Sequence, residues 1–170
     1  TATRWLACGE VFADLATASP YRAVGARVDD WIPKGDAAKG QAMFTQAGCV
    51  ACHRVKGQFI DFGPDLTQIG AKLSQDGLFT AILYPSAAIE HSFVGLNVTT
   101  KEGQTVMGFT VSETDTDLTL KMAGGATTTV KKVNLVKKEE LKDSLMPPGL
   151  AGAIGPQGLA DLVAWLQTLK

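Results

Sequence analysis

Five consecutive residues, Cys49-Val50-Ala51-Cys52-His53, constrain this 170-residue chain more than any other stretch. Two thiols three positions apart can reach the two vinyl groups on one edge of a porphyrin and form thioethers with them. The next residue then presents an imidazole to the iron. A covalent link of this kind holds a haem without a deep, enclosing pocket. The same Cys-x-x-Cys spacing also serves thioredoxin-like dithiols and half-sites for zinc. A thioredoxin-like pair follows a strand, whereas here a Gly- and Ala-rich stretch of helical character precedes the motif. A zinc site needs two further ligands, and only Cys8 and His91 remain, neither with ligand-pair spacing. The motif is therefore read as the attachment site of one covalently bound haem c.

Composition narrows the remaining choices. Sixteen Lys and Arg stand against 17 Asp and Glu, for a net charge of −1. That balance gives no electrostatic case for nucleic acid or for an anionic membrane as partner. No apolar run approaches the ~18–20 residues of a membrane span. No apolar segment follows Arg4, so no signal peptide is recognised, and the chain reads as mature or as cut from something longer. The length suits one ordinary domain or two small ones, with a core that needs no disulfide staples. With two of the three cysteines given to haem, Cys8 reads as a small buried side chain on an N-terminal helix.

The periodicity changes along the chain. Trp5, Leu6, Val11, Phe12 and Leu15 have helical spacing that stops at Ser19-Pro20, so residues 1–34 read as an N-terminal helical extension. Asp36 is a helix cap, and the helix it opens carries Gly40, Met43, Phe44 and Ala47 into the cysteine motif. Gly63-Pro64-Asp65-Leu66 reads as a turn-like loop. Ser74 caps a second helix, with Leu78, Phe79, Ile82 and Leu83, that Pro85 ends. Beyond it the period becomes 2. Val94, Leu96 and Val98 alternate, then Thr105, Met107, Phe109 and Val111, then Leu118, Leu120 and Met122, then a run from Thr127 to Val133. Turns at Glu102-Gly103, Asp115–Asp117 and Gly124-Gly125 separate them, which predicts three or four antiparallel strands in a meander. Lys137 to Leu141 leads out of it. A last helix carries Leu159, Leu162, Val163, Leu166 and Leu169, with Trp165 beside that stripe.

A haem iron held by His53 has a sixth position to fill, for which Met43, Met107, Met122, Met146 and His91 are the candidates. Met43 lies too close to the motif to reach the far side of the ring. Met107 and Met122 fall at alternating strand positions, which predicts core packing. His91 reads as an ordinary polar residue at a helix-to-strand junction. Met146 sits in a loop restrained by Pro147-Pro148, and restraint helps to hold a weak thioether ligand. Met146 is therefore the expected partner of His53 at the metal.

These residues together resemble a class I c-type cytochrome. The resemblance rests on Gly40 and Phe44, Cys49-x-x-Cys52-His53, Gly63-Pro64-Asp65-Leu66, Met146-Pro147 and Trp165. It implies a mainly α cytochrome c fold over residues 35–91 and 142–170, with a small antiparallel β meander inserted at residues 92–141, α+β overall. It also implies that the Pro64 carbonyl accepts the proximal imidazole N–H, and that the helices carrying Gly40 and Trp165 cross closely. A narrower similarity covers about residues 35–170. It adds Ile82-Leu83-x-Pro85-Ser86, Thr100-Lys-x-Gly103, Gly108, Leu118 to Lys121 and Ser144-Leu-Met-Pro. That pattern resembles the C-terminal haem-binding domain of planctomycete-type large predicted dehydrogenases, where the cytochrome is one module of a longer chain.

The resemblance implies single-electron transfer, not catalysis, with a redox protein or a fused dehydrogenase domain as partner and a location in the periplasm or otherwise outside the cytoplasm. Phe44, Leu66, Leu145 and Leu150 flank the motifs as candidate haem walls. The alternative is a haem peroxidase or gas-binding sensor with a labile sixth ligand. Lys131-Lys132 and Lys137-Lys138 form a basic cluster that reads either as a steering patch for an acidic partner or, preferably, as a solvated strand edge.

Overall fold

Helix α1 (Ala37–Gln46) starts where the Asp36 carboxylate accepts a hydrogen bond from the amide of Ala38 at 3.0 Å. The computed structural model describes residues 33–170, so the expected N-terminal helix and Cys8 lie outside the described residues. Among the described residues there are four α-helices and one five-stranded antiparallel sheet. After α1 come the four-residue α2 (Ile69–Lys72), α3 (Gln75–Leu83) and, at the end of the chain, α4 (Gly155–Leu166). Ser74 caps α3 by accepting from the Gly77 amide at 3.2 Å, and α3 ends two residues before Pro85, as the sequence predicts.

The helical part is held by the crossing of α1 and α4. Gly40 is the point of contact. A methyl group there would fall inside 3.0 Å of both the Asp161 carbonyl oxygen and the Trp165 Cβ. Phe44, one turn on, is fully buried and tilts against Trp165 with ring centroids 5.2 Å apart. Leu159, Leu162, Val163 and Leu166 complete the apolar face of α4. The buried carboxylate of Asp161 is satisfied locally. It accepts from the Asp36 amide at 2.8 Å and from Gln157 Nε2 at 2.9 Å. A buried charge without such partners costs several kcal/mol, so this pair of bonds both permits the burial and pins the start of α1 to α4. The short α2 docks on the far end of α4 through the Gly70 amide and the Leu169 carbonyl, 2.8 Å apart.

The strands are β1 (Gly95–Thr100), β2 (Thr105–Glu113), β3 (Asp117–Lys121), β4 (Thr127–Lys131) and β5 (Leu135–Glu140), in the spatial order β4-β3-β2-β1-β5. The sheet is thus more than the predicted meander. The segment expected to lead out of it is itself a strand, which returns to pair with β1. Among the described residues, helices and strands contribute nearly equal lengths, so the architecture is α+β overall, as the resemblance implies. The sheet also cannot be flat. In a flat sheet β4 and β5 would lie about 19 Å apart, four strand spacings. The link Lys132–Asn134 can span only about 14 Å from Lys131 to Leu135. The sheet therefore curls into a small, nearly closed barrel. Leu96, Val98, Leu118, Leu120 and Val130 fill its interior, with Val106 and Leu135 packed against them.

The curl corrects the predicted facing of β2. The alternation of Thr105, Met107, Phe109 and Val111 predicts that these residues turn inward. In the structure Val106 faces the barrel core, while Met107 and Val111 are about half exposed. Gly108 shares the inward face and leaves no hydrophobic mark, because β3 approaches so closely that a Cβ would strike the Lys121 backbone. A bulge between Thr110 and Ser112 then shifts the register against β3. Phe109, the exception on the outer face, is buried between Phe62 (centroids 4.7 Å) and Phe93 (5.3 Å), and so joins the barrel to the loop after the cysteine motif.

Two outcomes follow. Gly40→Ala should destabilise the protein although alanine favours helix by about 1 kcal/mol. The overpacking cost of about 1–3 kcal/mol outweighs it, and chemical denaturation should show a lower midpoint. Glu113 receives Lys132 at 2.9 Å and Lys138 at 2.7 Å, and these partners hold its carboxyl down from 4.5 to about 2. A depressed folded-state value means stability that is fully present above pH 4.5 and lost as the pH falls toward about 2. Glu113→Gln should therefore lower the melting temperature at neutral pH, and the gap to the parent should close across that acid range. Salt should narrow the gap too, since the pair is solvent-screened.

Candidate functional site

The cysteine motif begins three residues after α1. The helix stops at Gln46, Gly48 takes the left-handed conformation at φ +78°, and the chain tightens into a 3-10 turn, Cys49–Ala51. That reversal sets Cys49 inward and buried, and leaves Cys52 half-buried. Both are free thiols. Burial pushes the Cys49 thiol up to about 11 and raises the Cys52 thiol as well, so neither is primed as a thiolate nucleophile.

His53 follows at the end of the turn, its amide donating to the Cys49 carbonyl at 2.9 Å. Its ring is fixed from two directions. Nδ1 lies 2.8 Å from the Pro64 carbonyl oxygen, which makes it the protonated, donating nitrogen and leaves Nε2 for a metal. Gly63 lies against the ring, and a Cβ at that position would come within 2.9 Å of the imidazole Cε1. Burial lowers the His53 pKa, with the Pro64 hydrogen bond opposing that shift, and a neutral imidazole is the form that ligates. The loop carrying Gly63 and Pro64 is held in place by Cys52. Its carbonyl accepts from the amides of Phe62 (3.0 Å) and Gly63 (2.7 Å). Arg54 adds an ion pair to Asp65 at 3.1 Å, and Asp65 in turn accepts from the Thr67 amide at 2.8 Å.

The structure thus brings Cys49, Cys52, His53 and Pro64 into one turn-and-loop unit. Met146 is half-buried on the loop of residues 141–149, between β5 and the 3-10 turn Leu150–Ala153. Met43 packs against α4, where its sulfur would meet a Cβ added at Gly158. His91 is exposed. Of the candidate wall residues, Leu66, Leu145 and Leu150 are half-buried, whereas Phe44 belongs to the helix crossing. The basic cluster is engaged in ion pairs, four lysines sharing three carboxylates. Lys131 pairs with Asp117, Lys132 and Lys138 with Glu113, and Lys137 with Glu139. Sequence reasoning missed Gly63 as the residue that lets the loop lie against the imidazole. Its place in Gly-Pro-Asp-Leu was visible, but the need for close approach was not.

The donor set fits a covalently held haem: two free thiols three positions apart, then an imidazole with one nitrogen tied off and the other available. Among the described residues, no group of three or more His, Cys, Asp and Glu side chains could hold a metal ion, so a zinc site finds no ligand set there. The Cytochrome c family model matches residues 37–120, from α1 through the cysteine turn to β3. This match supports a c-type cytochrome domain, and that family implies a haem c cofactor and electron transfer. No relative is found among the curated proteins. No helix of the described residues is long and apolar enough to cross a membrane.

In the haem-free chain the two thiols should differ in reactivity. Alkylation at pH 8 followed by peptide mass mapping should modify Cys52 ahead of Cys49, because Cys49 is the more buried and its thiolate the scarcer. Equal rates would mean that the turn does not hold Cys49 inward.

Proposed function

We propose that this chain is a monohaem c-type cytochrome domain that passes single electrons, in which Cys49 and Cys52 would anchor the haem covalently and His53 and Met146 would hold its iron. The observation that carries the reading is the His53 ring, tied through Nδ1 to the Pro64 carbonyl at 2.8 Å directly after two free thiols. When bound, the haem supplies a one-electron change at iron. The protein's own residues do the rest. The Pro64 carbonyl fixes the imidazole tautomer and orientation and raises its basicity. A Met146 thioether favours the reduced metal and raises the potential. The half-buried Leu66, Leu145 and Leu150 lower the local dielectric, which acts in the same direction.

Two ligands from the protein leave no open position for a substrate, which favours electron transfer over peroxide or gas chemistry. The reading includes a redox protein or a fused dehydrogenase domain as partner, following the narrower resemblance. It also includes a location outside the cytoplasm, where covalent haem attachment takes place. The ion-paired lysines retain little net charge, which weakens the case for steering by a basic patch, so the encounter would rest on a small, weakly charged interface.

Expressed with a haem-attachment system, the protein should carry one haem that acid-organic extraction does not remove. Its oxidised form should show a low-spin spectrum with the weak far-red sulfur-to-iron band. Met146→Ala should abolish that band and open the ferrous protein to carbon monoxide. Freely extractable haem would sink the anchor assignment. Rapid carbon monoxide binding by the parent protein would favour the sensor or peroxidase reading instead.

A further inference from the structure

We propose that the barrel is the mount for the Met146 loop, with Ser86 and Gly95 as positioning residues for the sixth ligand. This inference rests on the reading of Met146 given above. The chain reaches Met146 only six residues after leaving β5 at Glu140, so the end of β5 fixes where the loop begins. The first anchor is backbone. The Leu141 amide donates to the Gly95 carbonyl at 2.8 Å, which extends the β1–β5 pairing by one step.

The second anchor is packing. Gly95 is buried, and a Cβ there would lie 2.9 Å from both Leu141 Cδ1 and Leu145 Cγ. The missing side chain of Gly95 is therefore the seat of Leu145, the residue next to Met146. The third anchor comes from the helical side. Ser86, just after α3, accepts through Oγ from the Ser144 amide at 3.0 Å. Ser144 in turn accepts through its own Oγ from the Met146 amide at 3.1 Å. The relay runs Ser86 to Ser144 to Met146, and the seat on β1 closes the loop from the other side.

The physical consequence concerns occupancy of a weak bond. A loop that spends only a fraction of its time in the binding geometry weakens the apparent affinity of its ligand by that fraction. Anchors on both flanks of Ser144–Met146 raise the fraction before any metal is bound, which is preorganisation. This gives the barrel a task in a protein whose haem anchors all lie outside it.

The test uses the haem-loaded protein. Ser86→Ala removes the acceptor at an exposed position, where folding is not at stake. Gly95→Ala fills the seat of Leu145. Each should weaken the sulfur-to-iron band, lower the reduction potential and speed carbon monoxide binding to the ferrous protein, in Ser86→Ala by about fivefold, the factor that loss of one net hydrogen bond gives. Ser86→Thr keeps the hydroxyl and should restore the parent band. Haem content should not change in any variant. Parent-like band, potential and carbon monoxide rate in Ser86→Ala, with Met146→Ala losing the band, would overturn the mount while leaving the ligand intact. Retention of the band in Met146→Ala would overturn the ligand assignment and the mount with it. Should Gly95→Ala fail to fold, Ser86→Ala and its threonine counterpart decide the matter.

Discussion

The close crossing of α1 and α4 at Gly40 is the contact on which the rest depends. It is possible only because residue 40 has no side chain, since the Asp161 backbone and Trp165 Cβ occupy the space where one would be. The crossing buries Phe44 and so fixes the direction in which α1 ends. The turn that carries Cys49, Cys52 and His53 starts from that end. Asp161 secures the other end of the same helix through the Asp36 amide. A rotation of α1 would therefore move both thiols and the imidazole together, while the Pro64 loop, held by Cys52, would follow them.

A second set of contacts ties this helical frame to the barrel. Phe62, from the loop after the motif, packs on Phe109 of β2, and Lys121 of β3 reaches Asp61 at 3.1 Å. Asp61 also faces Arg54, at 3.8 Å, one residue beyond His53. The barrel thus touches the loop that fixes the imidazole, and through Gly95 it touches the loop that carries Met146. Its apolar interior is its own: residues of β1, β3 and β4 form it, Val106 of β2 and Leu135 of β5 pack against them, and that cluster contains no helix residue. It folds around a separate small core and uses its outer face to grip the two loops.

Where chemistry dictates residue type at fixed spacing, the sequence was legible. The cysteine motif, the Asp36 and Ser74 caps and the stop before Pro85 are of this kind, because each depends on near neighbours in the chain. The inward positions of β1 and β3 were legible too, since Leu96, Val98, Leu118 and Leu120 alternate cleanly. The facing of β2 was not, because a glycine sits on its buried face and a bulge interrupts its period. The return of β5 was hidden for another reason. Leu135–Glu140 is an edge strand of mostly exposed charge, and only its pairing with β1 gives it strand character. Pro64 and Gly63 could be placed in a turn, but their relation to His53 came from family resemblance, since no local rule predicts a contact across 11 residues.

The hydrogen bond between the Leu141 amide and the Gly95 carbonyl has a topological meaning. It joins the two ends of the strand segment, so a path along the chain from α1 to α4 can bypass the barrel altogether. Asp36 and Asp161 are 125 residues apart in sequence, and their meeting closes a long loop. Once the barrel has formed from its contiguous strands, that loop is effectively shorter by the length of the barrel. The gain in closure entropy is about 0.4 kcal/mol, somewhat less than the cost of one doubling in length. A formed barrel therefore acts as a short cut across the strand segment, and the contact between the helices that frame the cysteine turn closes a shorter effective loop than the count of residues suggests.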